Sequence, residues 1–347
     1  MSIETAELQV SAQQALRGLG IAATEEKSWP MVVELGWLLV SVPEELDGLG
    51  QGLQAACALY RELGASVVGA PYLPAMLAVE AVCRSDHPAR AEWIGRLAGA
   101  DFATASLFGP DGPTARTLSG KLRLAGVASA VASADKAAHM LVATADASLV
   151  LLVPRQNGIE IVSRPTWDET RRLFDVHFAD VEIADEWILA RGPAANALVR
   201  TLATHRDFAL AADSVGGASA LLELTVEYLK TRRQFARPLA MFQALKHRCA
   251  DLKALTEAAE ALLAENLESA KHCSDAEAEV LGKQAKSFAC SAYFRVAEEA
   301  LQLHGGIGMT SEHVCHRFLK RALLNAQLGR QNASYDLDIA VGILDGA

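Results

Sequence analysis

The sequence lacks the marks of a nucleic-acid-binding, membrane-spanning or secreted protein. Its 347 residues carry a formal net charge of −10, whereas binding to phosphate backbones requires an excess of basic side chains. No apolar run approaches the ~18 residues that a membrane-spanning helix needs. Residues 1–7 show neither the basic nor the apolar segment of a signal peptide. We therefore expect no nucleic-acid partner, no membrane association and a cytoplasmic location.

Paired cysteine motifs are also missing, because no C-x-x-C occurs. The cysteines are scattered along the chain at Cys57, Cys83, Cys249, Cys273, Cys290 and Cys315. In a chain of this size, such scatter indicates reduced thiols in a reducing compartment. His313, Cys315 and His316 are metal-ligand types close in sequence, but adjacent helical positions face different directions. We therefore expect no metal site.

The periodicity of the apolar residues divides the chain into three parts. In residues 1–100 a repeat of three to four predicts helices at 8–19, 31–39, 53–63 and 73–82. In residues 101–190 a repeat of two predicts strands at 102–108, 122–125, 140–144, 149–153, 159–162 and 173–181. Residues 191–347 return to the helical pattern. We predict an α+β fold: an N-terminal helical domain, a small β-sandwich or barrel, and a C-terminal four-helix bundle.

Local sequence patterns indicate where the C-terminal helices begin and end. Ser274 and Glu277 form the S-x-x-E pattern of a capping box, in which each side chain bonds the other's backbone N–H. This pattern predicts a helix that begins there and runs to His304. Further helices are predicted at 312–328 and 332–344.

Two motifs between the C-terminal helices carry the functional information. The first, Tyr228–Gln243, reads Y-L-K-T-R-R-Q-F-A-R-P-L-A-M-F-Q and is interpreted as a helix end, a turn fixed by Pro238 and a new helix start. The second, Gln302–Met309, reads Q-L-H-G-G-I-G-M and indicates a helix stopped by paired glycines. An arginine, side-chain amides and open backbone N–H groups together suit a phosphate or pyrophosphate.

Both motifs resemble the C-terminal helical domain of the acyl-CoA dehydrogenase family, whose usual patterns are Y-x3-R-x-Q-F-G-x-P-L-x-x-F-Q and Q-x-x-G-G-x-G. The resemblance extends to residues 43–50, which are similar to a P-E-x-x-G-G-x-G loop, and to the following Glu62-Leu63-Gly64. Asp47 stands where that loop usually has its first glycine. The alternative interpretation is an all-helical bundle with accidental glycines.

The resemblance implies that FAD is the cofactor. In the family, certain motif positions reach the pyrophosphate and adenosine end of an FAD that the neighbouring subunit mainly holds. They correspond here to Arg232, Gln234, Phe235, Gln302, Gly305 and Gly306. An arginine suits a pyrophosphate because its guanidinium makes charge-assisted, bidentate hydrogen bonds. Ala236 replaces the usual glycine of the first motif, and we expect it only to tighten the turn.

The resemblance also implies α,β-desaturation of an acyl-CoA, in which a carboxylate removes the α-proton and hydride passes to the flavin. Family members carry this base either in a loop after the last major helix or at the start of the helix that ends in R-x-Q-F. The corresponding loop, 320–331, has no acidic residue. The second place aligns with Arg206, beside Asp207. Asp207 is therefore the candidate base, and the alternative is a first-turn acid that complements the helix dipole.

The predicted β-domain departs from the family where other members hold the flavin ring. Those members carry a W-x-T/S motif after an N-G-x-K strand, and an earlier T-E-P-x-x-G-S loop. Here strand 120–126 is followed at 127–133 by V-A-S-A-V-A-S, and the earlier loop at 107–113 lacks T-E-P. The groups that cradle a flavin within the subunit are therefore missing, whereas those that reach a neighbour's FAD are intact.

This asymmetry resembles the short, partly degenerate subunit of heteromeric acyl-CoA dehydrogenases in bacterial sterol and related catabolism. In those enzymes a longer paralogue supplies the base and most of the flavin pocket of an α2β2 tetramer. The favoured hypothesis is a subunit of this kind, whose complex oxidises an acyl-CoA. The alternatives are a self-sufficient homo-oligomer that uses Asp207 as base and a flavin-free structural relative. The family also implies an electron-transferring flavoprotein as electron acceptor.

Overall fold

The computed structural model describes residues 3–99, 101–106 and 112–345. Its helices are α1 (Ile3–Leu19), α2 (Glu25–Glu34), α3 (Gly52–Ala65), α4 (Tyr72–Arg84), α5 (Arg90–Ala98), α6 (Gly192–Thr231), α7 (Gln243–Ser269), α8 (Asp275–His304), α9 (Cys315–Gln327) and α10 (Asn332–Asp345). Its strands are β1 (Ala103–Ala105), β2 (Thr114–Leu118), β3 (Lys121–Ala132), β4 (His139–Ala143), β5 (Leu149–Pro154), β6 (Ile159–Arg164), β7 (Leu173–Ile183), β8 (Ile188–Arg191), β9 (Arg233–Gln234) and β10 (Arg237–Pro238).

The chain forms two compact units. The first, the helical unit, comprises the described residues of 1–23, 57–68 and 207–347, and the second comprises those of 24–56 and 69–206. In the helical unit, buried apolar side chains of α6, α7, α8 and α9 make one core, in which Leu221, Val296 and Phe318 have no more than 1% of their surface exposed. Burial of such side chains removes apolar surface from water and is the main stabilising contribution to the bundle.

Two glycines allow α3 and α6 to cross with their backbones in contact. A Cβ at Gly64 would overlap the carbonyl oxygen of Asp213, and a Cβ at Gly216 would overlap that of Arg61. Only a residue without a side chain permits such an approach. The glycine of the Glu62-Leu63-Gly64 motif is therefore a packing requirement of this crossing.

A buried ion pair joins α6 to α9 in the same unit. Arg321 is 0% exposed, and it donates to Asp213 Oδ2 at 3.3 Å and to the carbonyl oxygen of Val68 at 2.9 Å. Asn325 Nδ2 donates to Asp213 Oδ1 at 2.6 Å and to Ser214 Oγ at 3.1 Å. Because buried charges and polar groups are costly without partners, this cluster fixes the register of the two helices.

The second unit contains two four-stranded sheets with the strand orders β1-β4-β5-β8 and β2-β3-β7-β6. Strand β1 runs parallel to β4, and the other neighbouring strands of these sheets are antiparallel. Both sheets contribute to one apolar core that includes Leu124, Leu151 and Val176. Two sheets that bury one face each against a shared core form a sandwich, as the sequence predicts.

The order helices, strands, helices confirms the predicted α+β fold, and Ser274 and Glu277 form the predicted capping box at the start of α8. Two strands of the sandwich escaped the sequence analysis, as did the short strands β9 and β10. Strand β2 is almost fully exposed and β8 has four residues, so neither has a strong alternation of apolar side chains. The predicted strand 102–108 is observed as β1, and its residues 107 and 108 lie outside the described ranges.

Three local predictions on the C-terminal helices were wrong. Pro238 lies in strand β10, and the following helix begins only at Gln243. Helix α9 begins at Cys315 rather than at residue 312, because residues 310–314 form turns. Asp207 is not a first-turn acid, since α6 begins at Gly192 and places Asp207 in its middle. The apolar repeat is continuous along α6, so it does not show where this helix begins.

Helix α6 is also the one helix of the described residues whose length and composition would allow it to span a membrane. However, 72% of its apolar window is buried inside the fold. A helix that is apolar on all sides and buried by its neighbours is a core helix. The apolar character of α6 therefore follows from its central position.

Candidate functional site

The first motif folds as a tight β-hairpin directly after α6. Strands β9 and β10 pair so that Gln234 lies opposite Arg237. Phe235 and Ala236 form the two-residue turn, with φ angles of 51° and 64°. Positive φ at both turn residues is the type I′ geometry, which glycine adopts without strain. Alanine in place of the family's glycine therefore costs roughly 1–2 kcal/mol of conformational free energy here. The sequence analysis expected only a tighter turn.

The second motif ends α8 as predicted. Gly305 has φ 64° and ψ −147°, a combination that only glycine adopts readily, and a 3-10 turn continues to Met309. A Cβ at Gly308 would lie 3.0 Å from the Cβ of His304, so packing leaves little room for a side chain at this position. Gly306, in contrast, has an ordinary φ, and no atom lies within 4 Å of the place that an added Cβ would take. The fold of the chain alone therefore does not explain the glycine at 306.

A stack of aromatic side chains brings the two motifs together. The ring of Tyr228 stacks on that of His304 at 4.5 Å, and its Oη donates to the carbonyl oxygen of His304 at 3.2 Å. The ring of His313 lies 4.5 Å from that of His304. Burial lowers the pKa of His304, and the nearby His313 lowers it further. The ends of α6 and α8 therefore meet at a closely packed joint, and both motifs lie at the same end of the helical unit.

The predicted contact residues of both motifs are exposed at this end. The side chains of Arg232, Gln234 and Gln302 are exposed, and Phe235 has 85% of its surface exposed. Within the part of the chain that the structure describes, these polar side chains have no hydrogen-bond or ion-pair partner. Exposed, unpaired donors beside a large exposed aromatic ring indicate a surface that binds something outside this chain.

Phe242, which the sequence analysis did not single out, organises the hairpin. The guanidinium of Arg237 lies 4.0 Å from the centre of the Phe242 ring, and the Phe235 ring meets the same ring edge-on at 6.0 Å. The cation–π contact restrains the position of Arg237 without neutralising its charge. The aromatic residue of the F-Q pair that ends the motif was the available sequence signal.

These residues fit the diphosphate of a dinucleotide such as FAD. Arginine and amide side chains donate hydrogen bonds to phosphate oxygens, and the open space at Gly306 allows a ligand to approach the backbone. No acidic residue occurs between Glu227 and Asp251, so no carboxylate within the first motif competes for an anion. The arrangement can therefore hold an anionic ligand, but its first motif supplies no carboxylate that could act as the expected base.

Asp207, the predicted candidate base, lies in a buried polar cluster. It is 1% exposed, and its Oδ1 accepts a hydrogen bond from Tyr335 Oη on α10 at 2.9 Å. Tyr335 in turn contacts the ammonium of the buried Lys286 through its ring, at 4.4 Å. This hydrogen bond satisfies one oxygen of the buried carboxylate and holds the side chain in place. The cluster connects α6, α8 and α10, whose residues are far apart in the sequence.

The segment 127–133, where the family's W-x-T/S motif would lie, forms the end of β3 and the turn after it. The backbone N–H of Ala130 donates to Asp175 Oδ1 at 3.1 Å, and Ser133 Oγ donates to Glu25 Oε2 at 2.7 Å. The backbone N–H of Ser133 donates to the carbonyl oxygen of Arg172 at 3.0 Å. The backbone N–H of Ala130 and both donors of Ser133 are therefore bonded to the chain itself, whereas Ser129 is exposed. Of the other loop, 107–113, residues 107–111 lie outside the described ranges.

A comparison with protein families matches residues 196–329 to the family described as "Acyl-CoA dehydrogenase, C-terminal domain". Among curated proteins, the chain is 32% identical over 305 residues to acyl-CoA dehydrogenase IpdE2 of Mycobacterium tuberculosis, covering 88% of this chain and 82% of that protein. It is 30% identical over 321 residues to acyl-CoA dehydrogenase FadE28 of the same organism, covering 88% and 89%.

Among solved structures, the chain matches the ChsE4-ChsE5 complex from Mycobacterium tuberculosis with a TM-score of 0.89 and 22% identity. It matches a structure titled "Tcur3481-Tcur3483 steroid ACAD G363A variant" with a TM-score of 0.86 and 27% identity. Each match covers 99% of this chain and 98% of the other. The first shows a shared fold, and the second also shows a detectable relation in sequence.

Proposed function

Because the chain belongs to the acyl-CoA dehydrogenase family, we propose that it is the subunit that completes FAD sites in a complex with a longer paralogue. The complex desaturates an acyl-CoA between its α and β carbons. The observation that carries this proposal is the contrast between the two halves of the expected flavin site. Arg232, Gln234 and Gln302 are exposed without partners among the described residues, whereas the donors of Ala130 and Ser133 in the segment 127–133 are bonded within the chain.

In this proposal, the residues of this chain bind and orient the FAD. Arg232 supplies a fixed positive charge to the diphosphate, and Gln234 and Gln302 supply neutral donors beside it. Phe235 covers an apolar part of the ligand or of the partner subunit. When bound, FAD supplies the hydride acceptor of the desaturation. The base that removes the α-proton belongs, in this proposal, to the partner, because the loop 320–331 has no carboxylate.

The name "steroid ACAD" of one related structure supports a bulky, steroid-derived acyl-CoA as substrate. The ChsE4-ChsE5 complex supports a heteromeric assembly, for which we propose the α2β2 form. An electron-transferring flavoprotein as acceptor, a cytoplasmic location and the division into domains 1–100, 101–190 and 191–347 complete the proposal. They are carried over from the sequence analysis.

Flavin content tests the proposal directly. The chain is expressed alone and together with any longer acyl-CoA dehydrogenase whose gene lies beside its own, and the visible spectrum and mass of each product are recorded. We expect colourless protein alone and a yellow, active complex with the partner. In that complex, Arg232→Ala is expected to weaken FAD binding by about 10- to 100-fold, because a charge-assisted hydrogen bond is lost.

The control for this variant is thermal unfolding of the complex without FAD, which should not change because Arg232 is exposed. A yellow chain that acyl-CoA bleaches without any partner would contradict the heteromeric assembly and favour the self-sufficient homo-oligomer. Absence of flavin in every combination would instead favour the flavin-free relative.

Replacement of Asp207 by asparagine distinguishes the heteromeric subunit, whose base lies in the partner, from the self-sufficient homo-oligomer, which uses Asp207 as base. If Asp207 supports the fold through Tyr335, Asp207→Asn should change the turnover of the complex by less than about threefold while lowering its unfolding temperature. Asparagine keeps an oxygen that can accept from Tyr335 Oη, so Tyr335→Phe, which removes the hydrogen bond altogether, is the matched control and should lower the unfolding temperature at least as much with turnover retained. A turnover loss of more than about 100-fold for Asp207→Asn alone, with FAD retained, would identify Asp207 as the base.

A further inference from the structure

The hairpin presents two faces with different side chains. Directly opposite residues of a two-stranded hairpin share a face, and successive residues alternate between faces. Gln234 lies opposite Arg237, whereas Arg233 lies opposite Pro238. Arg237 therefore shares its face with the predicted cofactor residue Gln234, and Arg233 lies on the other face.

The two arginines also differ in what holds them. Arg237 rests on the Phe242 ring at 4.0 Å, and within the described chain no carboxylate pairs with it. Arg233 Nη2 instead donates to the carbonyl oxygen of Ala236 at 3.2 Å, which turns its guanidinium toward the hairpin itself. An aromatic ring restrains a guanidinium and leaves its N–H edge free for an anion.

From this geometry we propose that Arg237 is a second anion-binding arginine of the site and acts with Gln234 on a diphosphate. The inference rests on the proposed function. It adds a residue that the motif resemblance does not assign, since the family pattern leaves this position open. Phe242 is the positioning residue for it, because it contacts the guanidinium and the turn residue Phe235.

A diphosphate occurs in FAD and also in coenzyme A, so two ligands are measured. Complexes carrying Arg237→Gln, Arg233→Gln or Arg232→Gln are titrated with FAD by flavin fluorescence after removal of the cofactor. The same complexes are titrated with free coenzyme A by calorimetry, at low and at high salt. Thermal unfolding of each apo-complex checks that the exposed substitutions leave the fold intact.

We expect Arg237→Gln to weaken one of the two ligands about tenfold, and Arg233→Gln to leave both unchanged. The loss should shrink at high salt, because the interaction is between charges near the surface. Phe242→Leu, which keeps Arg237 but removes the aromatic ring that its guanidinium contacts, should give a smaller loss of affinity for the same ligand. A loss for FAD alone assigns the diphosphate to FAD, and a loss for coenzyme A alone assigns it to the substrate.

Equal constants for Arg237→Gln and Arg233→Gln in both titrations overturn the inference. If Arg232→Gln still weakens FAD in that case, the proposed function stands without it. If no assembly binds FAD but Arg237→Gln weakens coenzyme A, the proposed completion of FAD sites fails and the assignment of Arg237 to a diphosphate stands.

Discussion

Gly216→Ala is expected to destabilise the helical unit by about 3 kcal/mol or more, which is a large part of the ~5–15 kcal/mol of an ordinary protein and should lower the yield of soluble protein. The added Cβ would overlap the carbonyl oxygen of Arg61, which is backbone and cannot rotate away. This clash can be relieved only if α3 and α6 move apart, which also separates Gly64 from Asp213. The measurement is the yield of folded protein and, where it folds, urea-induced unfolding followed by circular dichroism.

Gly18→Ala is the matched control for this substitution. Gly18 is an exposed residue of α1, and no atom lies within 4 Å of the position of an added Cβ. Alanine is the better helix former there, so this variant should be unchanged or more stable by about 0.5–1 kcal/mol. Equal stability of the two alanine variants would contradict the close crossing of α3 and α6.

The second large effect is expected at the buried ion pair. Asp213→Ala leaves the guanidinium of Arg321 buried without this carboxylate, which typically costs about 3–5 kcal/mol. It also removes one of the two acceptors of Asn325 Nδ2 and leaves Ser214 Oγ as the other. We expect a clear decrease of the thermal unfolding temperature, measured by calorimetry on the complex or on the chain alone.

A double variant, Asp213→Leu with Arg321→Met, tests the cause of this loss. If the uncompensated charge is responsible, the double variant should recover much of the stability that Asp213→Ala loses, since apolar pairs often replace buried ion pairs. Glu257→Ala, which breaks an exposed pair with Lys253 on α7, should leave the unfolding temperature unchanged. A double variant as unstable as Asp213→Ala would show that shape and hydrogen bonds, and not charge, determine the stability here.

Several features of this protein could be predicted from its sequence because they depend on a few neighbouring residues. The capping box of Ser274 and Glu277 is complete within one helical turn, and the stop of α8 at Gly305 depends on the φ angle of a single glycine. The order of helices and strands followed from the spacing of apolar residues, which changes from three or four residues to two and back again. The two motifs likewise have fixed spacing, so their residues could be named in advance.

Other features were decided only by the tertiary structure. Nothing near Gly216 in the sequence indicates that α3 passes against it, and nothing near Asp207 indicates that its partner is Tyr335. The division of the hairpin into a face with Arg237 and a face with Arg233 depends on strand register and on Phe242. The physical reason is that local sequence determines backbone preference and periodicity, whereas the contacts of a buried group depend on which distant segments pack against it.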